Sequence, residues 1–497
     1  MGINIPHGKK IEIKDSMKIL IVSSEVFPFA KVGGLADVAG SLSKSLVSLG
    51  CDARVIMPLY GCVDREKFGL VKEKANIRHP LTGVMRSFDL FSCKISGTTV
   101  YFIENKEYFS RDEIYGGQSG DCPDNASRFS FFSKAALAAI KELDFKPDII
   151  HCNDWQSALI PFYLKFKLVK DSFYKGIKVL FTIHNMAYQG LFEKKVMKKV
   201  GIPASFFNID GVEFHGKLNF MKAGLVYSDA VSTVSPRYAE EIMTPEYGYG
   251  LEGALKGRRE DVYGILNGVD YSIWSPGSDN FLKENFDTDS LEKKTECKKD
   301  LLKQVDLSIS PDKPLLGSVT RLVEQKGMDL LANITDRIVQ LGAGVVMLGQ
   351  GDQNYNNVFR SLAEKYPENV SVSIEFNEEL AHKIEAGCDI FLMPSRYEPC
   401  GLNQMYSIKY GTIPVVRATG GLDDAIIDFD KNRKRGNGFK FGPAGEEAFF
   451  EAIQRAVSCY KDRGLWRKLM VQAMSYDYSW EHSTKEYIQL YKRILHF

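Results

Sequence analysis

The chain alternates short β-branched apolar runs with helical patterns, and it does so twice. Met17 to Ser24 (MKILIVSS) reads as a buried strand. Leu35, Val38, Ala39, Leu42, Leu46 and Leu49 then fall at helical spacing up to Gly50, and Ala53 to Met57 is the next strand. The order continues through Asp148–His151, Lys178–Thr182 and Ala230–Val234, and ends near Ile265–Asp270. A polar, lysine-rich stretch from about Asn280 to Lys303 follows. The alternation then restarts at Pro314–Thr320 and runs through Gly344–Leu348, Val370–Ile374, Ile390–Met393 and Thr412–Val416. Parallel strands need long crossover connections, and strand–helix–strand order supplies them. The fold class predicted is α/β, with two doubly wound, Rossmann-like parallel-sheet domains. At 497 residues the chain is long enough for both. The expected divisions are a disordered polar leader at 1–16, a first domain at 17–266 and a second at 267–475. In the last segment, 476–497, Tyr487, Leu490, Tyr491 and Ile494 share a helical face that would pack back on the first domain.

Composition excludes several function classes. Sixty-four basic and 63 acidic side chains leave a net charge of +1, which gives no footprint for nucleic acid or an anionic membrane. Nine cysteines are scattered without a CxxC pair, and no HExxH occurs, so free thiols in a reducing cytoplasm are expected. No apolar run approaches the roughly 20 residues that span a bilayer.

The second half carries the densest chemistry. Ile390–Met393 leads through a proline into Ser395-Arg396-Tyr397-Glu398-Pro399-Cys400-Gly401-Leu402. A buried strand thus delivers a carboxylate to its carboxyl end, where open α/β sheets bind ligands. The next strand leads to Thr419-Gly420-Gly421-Leu422, read as bare backbone N–H groups suited to a sugar diphosphate. Arg321 and Lys326 follow the strand that ends at Thr320; they would bracket a diphosphate or be an exposed pair, one of them held by Glu324. In the first half, Lys31-Val32-Gly33-Gly34 lies between strand and helix, either as an anion-binding turn or as a tight turn with a solvated lysine. It is neither GxGxxG nor a P-loop. His184, just past a buried strand, would bond a sugar hydroxyl or cap its loop. Asp154 would accept from a sugar hydroxyl, with Trp155 offering a face to a pyranose ring; an N-cap aspartate before a packed tryptophan fits as well. Two DxD triplets, Asp287/Asp289 and Asp428/Asp430, follow no confident strand and read as chance surface triplets.

Together these residues resemble the bacterial glycogen synthase and plant starch synthase family. The matching elements are KVGGLADVAG from Lys31, HCNDWQ from His151, TIHNMAYQG from Thr182, ILNGVD from Ile265, TRLVEQKG from Thr320, SRYEPCGLNQMYS from Ser395 and ATGGLDD from Ala418. They stand in family order from residue 17 to the C-terminus. Val32 stands where the family often has threonine, and Gln156 follows Asp154-Trp155 where histidine is frequent.

The resemblance implies a GT-B architecture with a deep interdomain cleft. It also implies retaining transfer of glucose from ADP-glucose to the non-reducing end of an α-1,4-glucan, glycogen or a maltooligosaccharide. By position it implies catalytic roles for Glu398, Arg321, Lys326 and His184. Donor contacts would come from Lys31, Gly33, Gly34, Asn267, Cys400, Gly401, Leu402, Thr419, Gly420 and Gly421. Acceptor contacts would come from Asp154, Trp155, Asn185 and Tyr188. No metal or other cofactor is implied. A UDP-glucose-dependent transferase of the same fold, or an α-glucan phosphorylase-like enzyme requiring pyridoxal phosphate, are the alternatives. The missing GxGxxG argues against a nicotinamide oxidoreductase. Retention of Lys31, Arg321, Lys326 and Glu398 together argues against a purely glucan-binding protein.

Overall fold

The computed structural model describes residues 16–78, 86–117, 120–430, 432 and 435–496. The leader expected at 1–16 lies, apart from Ser16, outside the described residues. The chain forms two compact units. The first takes residues up to Ser232, Ile242–Tyr263 and the residues from Thr484 onward; the second takes Thr233–Glu241 and Gly264–Ser483. A contiguous division of the chain makes no provision for the short excursion of 233–241.

The first unit is built on a nine-stranded sheet. Its order is Val262–Gly264, Ala230–Thr233, Lys178–Ile183, Ile149–Asn153, Lys18–Val22, Asp52–Pro58, Thr98–Glu104, Ser87–Ile95 and Val71–Arg78. Lys18–Val22 pairs in parallel with Asp52–Pro58 on one side and Ile149–Asn153 on the other. The chain therefore builds outward from this strand in two directions. The last two strands are antiparallel, an extension that hydrophobic patterning does not signal. Val71–Arg78 (VKEKANIR) buries only Ile77, and its charges blunt an exposed sheet edge.

The final helix, Trp480–Leu495, joins this unit from Thr484 onward. Tyr487 and Tyr491 are fully buried, and the Tyr491 hydroxyl lies 2.8 Å from His151 Nδ1. His151 Nε2 meets Thr182 Oγ1 at 2.6 Å, which in turn meets Ser232 Oγ at 2.6 Å. Burial pushes His151 down to about 3, so the ring is neutral and this polar chain crosses three neighbouring strands without a charge.

The second unit holds a six-stranded, wholly parallel sheet in the order Val370–Ser373, Gly344–Leu348, Leu315–Val319, Ile390–Met393, Ile413–Arg417, Phe439–Phe441. The lysine-rich stretch before it contains the helix Lys294–Gln304, whose Leu301 and Leu302 pack with Leu315, Val346, Leu380, Ile384 and Phe391 in the core. The chain lays down Leu315–Val319, moves away through two strands, then returns to its other side with Ile390–Met393. The crevice between the carboxyl ends of these two strands is the topological switch point, where a ligand site is expected.

Tyr491→Phe tests the final helix. It removes a buried hydroxyl and leaves His151 Nδ1 unpaired, which should cost about 1–3 kcal/mol. Urea unfolding followed by tryptophan fluorescence would measure it; an unchanged midpoint would show that the contact carries no stability.

Candidate functional site

At the second unit's switch point two loops close on each other. The loop after Leu315–Val319 turns through a short 3-10 helix, Glu324–Lys326, and ends at Gly327. Gly327 has φ +67°, and a Cβ there would lie 2.1 Å from the Pro394 carbonyl oxygen. Only glycine permits that approach. It lets the Arg396 amide donate to the Gln325 carbonyl at 2.8 Å and Gln325 Nε2 to the Tyr397 carbonyl at 3.3 Å. The result places Lys326 Nζ 2.5 Å from Glu398 Oε2, which also accepts from Ser395 Oγ at 3.0 Å. Glu398 is buried. Lys326 and Glu398, read separately as a diphosphate cation and a glucose-site carboxylate, are thus one ion pair. Arg321 differs: it is exposed, and its guanidinium has no hydrogen bond or ion pair among the described residues.

Asn267 and Cys400 also meet. Cys400 is buried and hydrogen-bonded to Asn267, and burial pushes its thiol up to about 12. Asn267 Oδ1 is buried with no hydrogen-bond partner among the described residues. Gly401 adopts φ +69°, and the helix Asn403–Lys409 begins just beyond it without a side-chain cap. The first amides of that helix therefore lack an acceptor within it.

The glycine pair after Ile413–Arg417 corrects the sequence reading. The Gly420 amide donates to the Glu241 carboxylate at 3.1 Å, with Thr419 Oγ1 on the same carboxylate at 3.2 Å. The Gly421 amide donates to the Glu398 and Pro399 carbonyls, both at 3.2 Å. These amides are not bare. The glycines are there because a Cβ at Gly420 would stand 1.9 Å from the Glu398 carbonyl oxygen, and one at Gly421 2.1 Å from that of Cys400. The turn braces the Glu398 loop from behind.

In the first unit, the carboxyl ends of adjacent strands gather a second polar cluster. Asp154 is buried with φ +53°, and its Oδ1 accepts the His184 amide at 2.7 Å. His184 Nε2 lies 2.8 Å from Asn153 Oδ1, which makes Nε2 the protonated nitrogen and leaves Nδ1 an acceptor. Burial pushes His184 down to about 3 and Asp154 up to about 7. A His184 ring that is neutral near pH 7 is suited to hydrogen bonding with hydroxyls rather than to supplying a positive charge. Asn185 Oδ1 accepts the Ala187 amide at 3.0 Å, while Tyr188 is exposed.

Trp155 is a second correction. Its ring packs against Phe129, Phe192 and Phe220, with centroids 5.0, 5.7 and 6.3 Å away. Gly190, at φ +65°, lies so close that a Cβ would stand 2.6 Å from the indole. Its faces are covered, so it is a core residue and offers no platform to a pyranose.

Lys31 is exposed and paired with Asp37 at 2.8 Å. Among the described residues, apart from their chain neighbours and the helix's own backbone, no atom stands within 4 Å of a Cβ built at Gly33 or Gly34, so open space adjoins both. Sequence reasoning missed Glu25, which takes the Val32 and Gly33 amides. It also missed Glu241, at the end of the helix Pro236–Glu241, and Ser395; the only signals were the carboxylate of Glu25 just past a strand end and a serine inside the quoted Glu398 motif.

The triplets also have structural uses. Asp287 Oδ1 accepts the Asp289 and Ser290 amides in a turn, and Asp428 pairs with Arg455. Among the described residues, no three His, Cys, Asp or Glu side chains are grouped as metal ligands would be.

Residues 18–257 match the starch synthase catalytic domain model, and residues 302–468 match the glycosyl transferases group 1 model. The glycogen synthase of Geotalea daltonii is 47% identical over 479 residues, covering 96% of this chain and 99% of that protein. The glycogen synthase of Thermotoga maritima is 46% identical over 488 residues, with the same coverage. The chain belongs to the glycogen synthase and starch synthase family. Among solved structures, the catalytic domain of Arabidopsis thaliana starch synthase IV, bound to ADP and acarbose, superposes with a TM-score of 0.89 at 34% identity, over 97% of this chain and all of that one. Sucrose-phosphate synthase of Thermosynechococcus elongatus, at 17% identity and TM-score 0.60, shares the fold. The protein is thus a GT-B glycosyltransferase, and its activity is glucosyl transfer in glycogen synthesis.

The buried Asp154 makes a pH prediction. Its folded pKa stands near 7 against an ordinary 3.8. Between those values the folded state holds a proton that the unfolded chain has lost, so this group's contribution falls as pH rises. Asp154→Asn should therefore gain stability relative to the parent from about pH 4 to about pH 7, then level off. Urea midpoints of both proteins across that range check it; parallel curves would show that Asp154 ionises normally.

Proposed function

We propose that the enzyme transfers glucose from ADP-glucose to the non-reducing end of an α-1,4-glucan, with retention of configuration and without a metal or other cofactor. One observation carries this reading: an unpaired Arg321 and a Lys326–Glu398 pair at the switch point of the second unit. Breaking the bond from the anomeric carbon to the diphosphate puts negative charge on the leaving group and positive charge on the sugar. Arg321 offers a planar fork for the diphosphate, and Lys326 has two protons beyond the one on Glu398. Both would strengthen their hold as charge develops. The Glu398 carboxylate would steady the cationic sugar. Asn267 Oδ1, which has no partner among the described residues, would accept from a glucose hydroxyl. Asp154 and His184 would bond hydroxyls of glucose, with Asn185 and Tyr188 toward the glucan. The Lys31–Gly34 turn would bind donor phosphate. The Arabidopsis relative's bound ADP and acarbose support this pairing of nucleotide and glucan. A cytoplasmic location accords with this chemistry, and no helix among the described residues is long and apolar enough to cross a membrane.

Because Glu398 is already engaged by Lys326 and Ser395, we favour attack by the acceptor on the face the diphosphate leaves, with the departing phosphate taking the acceptor's proton. Glucose transfer to glycogen from ADP-glucose and from UDP-glucose, with and without chelator, tests donor and metal together. Faster transfer from ADP-glucose, unchanged by chelator, is expected; a UDP-glucose preference or a manganese requirement would overturn the corresponding part.

Arg321→Ala should lower turnover by about 10²–10³, the usual cost of losing one charge-stabilising donor. Wild-type turnover would remove Arg321 from the site. Glu398→Gln should lose several orders of magnitude in turnover while keeping ADP affinity. Azide should not rescue Glu398→Ala; formation of β-glucosyl azide would show that Glu398 is a covalent nucleophile.

A further inference from the structure

The strand Lys18–Val22 ends beside the switch point of the first sheet, and three residues later comes Glu25. It is buried, yet every neighbour that binds its carboxylate is a neutral donor. Oε2 accepts the Val32 amide at 2.5 Å and the Gly33 amide at 2.9 Å. Oε1 accepts the Tyr115 hydroxyl at 2.6 Å, and Ser24 Oγ lies 2.7 Å from the same hydroxyl. Tyr115 is itself anchored. Asn125 Nδ2 donates to its carbonyl at 2.8 Å, and the fully buried Arg128 donates to Asn125 Oδ1 at 2.8 Å and to the Ile114 carbonyl at 3.0 Å. A continuous set of bonds therefore runs from the core of the helix Asn125–Glu142 to the backbone of the Lys31–Gly34 turn.

We propose that Glu25 is a positioning residue for the glucosyl transfer, holding the Lys31–Gly34 turn in the conformation that receives the donor's phosphate. The inference rests on the assignment of that turn to donor phosphate made above. Glu25 fixes the amides of Val32 and Gly33, and so fixes where the helix Gly34–Ser48 starts. The Gly34 and Leu35 amides, which have no acceptor inside a helix, are left for an external anion. The open space beside Gly33 and Gly34 admits that anion. A neutral amide at position 25 reproduces this only in part. Glutamine offers one oxygen: with its NH2 toward the two backbone donors it clashes, and with its NH2 toward Tyr115 it forces that hydroxyl to accept rather than donate.

The experiment compares wild type with Glu25→Gln, Tyr115→Phe and Lys31→Ala. It measures ADP affinity by calorimetry, separate KM values for donor and glucan, kcat and Tm. Glu25→Gln is expected to weaken ADP binding and raise donor KM by about tenfold or more, as loss of a charged hydrogen-bond acceptor does. Glucan KM should not change. Tyr115→Phe, which keeps the carboxylate and removes one of its donors, should show the same pattern more weakly and serves if Glu25→Gln does not fold. A general loss of kcat and Tm with donor KM and ADP affinity unchanged would mark Glu25 as structural only. Normal donor binding in Glu25→Gln beside impaired binding in Lys31→Ala would overturn the positioning role alone. Normal donor binding in Lys31→Ala would remove the turn from the donor site, and this inference with it.

Discussion

The ion pair between Lys326 and Glu398 organises the second unit's site. Side-chain exposures of 17% and 7% mean that both charges have left most of their water. A buried pair of this kind is poor evidence of stability, because desolvation offsets much of the attraction, while losing one partner leaves the other stranded. Its value lies in where it puts two charges. Gly327 against Pro394 brings the loops into reach, Gln325 and Arg396 join their backbones, and the Gly420–Gly421 turn supports the far side. Each of these contacts is backbone to backbone or side chain to backbone. The main chain that carries the carboxylate therefore has little freedom to relax, as a preorganised site requires.

A shared device appears in each unit taken by itself. A glycine pair stands at the start of a helix, and a carboxylate from elsewhere in the unit takes amides there: Glu25 at Val32 and Gly33, Glu241 at Gly420. The reasons for the glycines differ. At 420 and 421 the backbones of two loops collide with any Cβ, so packing demands glycine. At 33 and 34 no such collision occurs among the described residues, and open space adjoins both. Burial raises the pKa of both carboxylates, and each is held by hydrogen bonds from neutral donors; Arg237 stands 3.6 Å from Glu241.

Much of this was legible in the residues. Strand and helix periods gave the two parallel sheets, because a buried parallel strand must be a short apolar run and its crossover must be helical. The loops that carry Arg321, Lys326, Glu398, Asp154 and His184 follow such strands directly, so their position at strand ends was readable too. The charged edge Val71–Arg78 was not, since a strand with one buried residue has no apolar alternation to detect. Trp155 was misread because an aromatic beside an acidic residue fits a sugar platform and a core equally; only Phe129, Phe192 and Phe220, distant in sequence, decide it. The amides of Gly420 and Gly421 were misread for the same reason. Their acceptors include Glu241, nearly 180 positions away, and no local pattern announces a contact of that range.

Desolvation sorts the polar groups of the two units differently. In the first unit, burial drives His184 to neutrality and brings Asp154 to the middle of its titration near pH 7. His151 behind them is neutral as well. Such groups suit hydroxyls, which need donors and acceptors and gain little from full charge. In the second unit Arg321 is exposed, with no counter-ion among the described residues, and Lys326 is paired with Glu398. Desolvation sets both outcomes. Arg321 keeps its exposure because a buried guanidinium without a partner would be costly, whereas Asp154 can be buried because protonation near pH 7 relieves part of the expense.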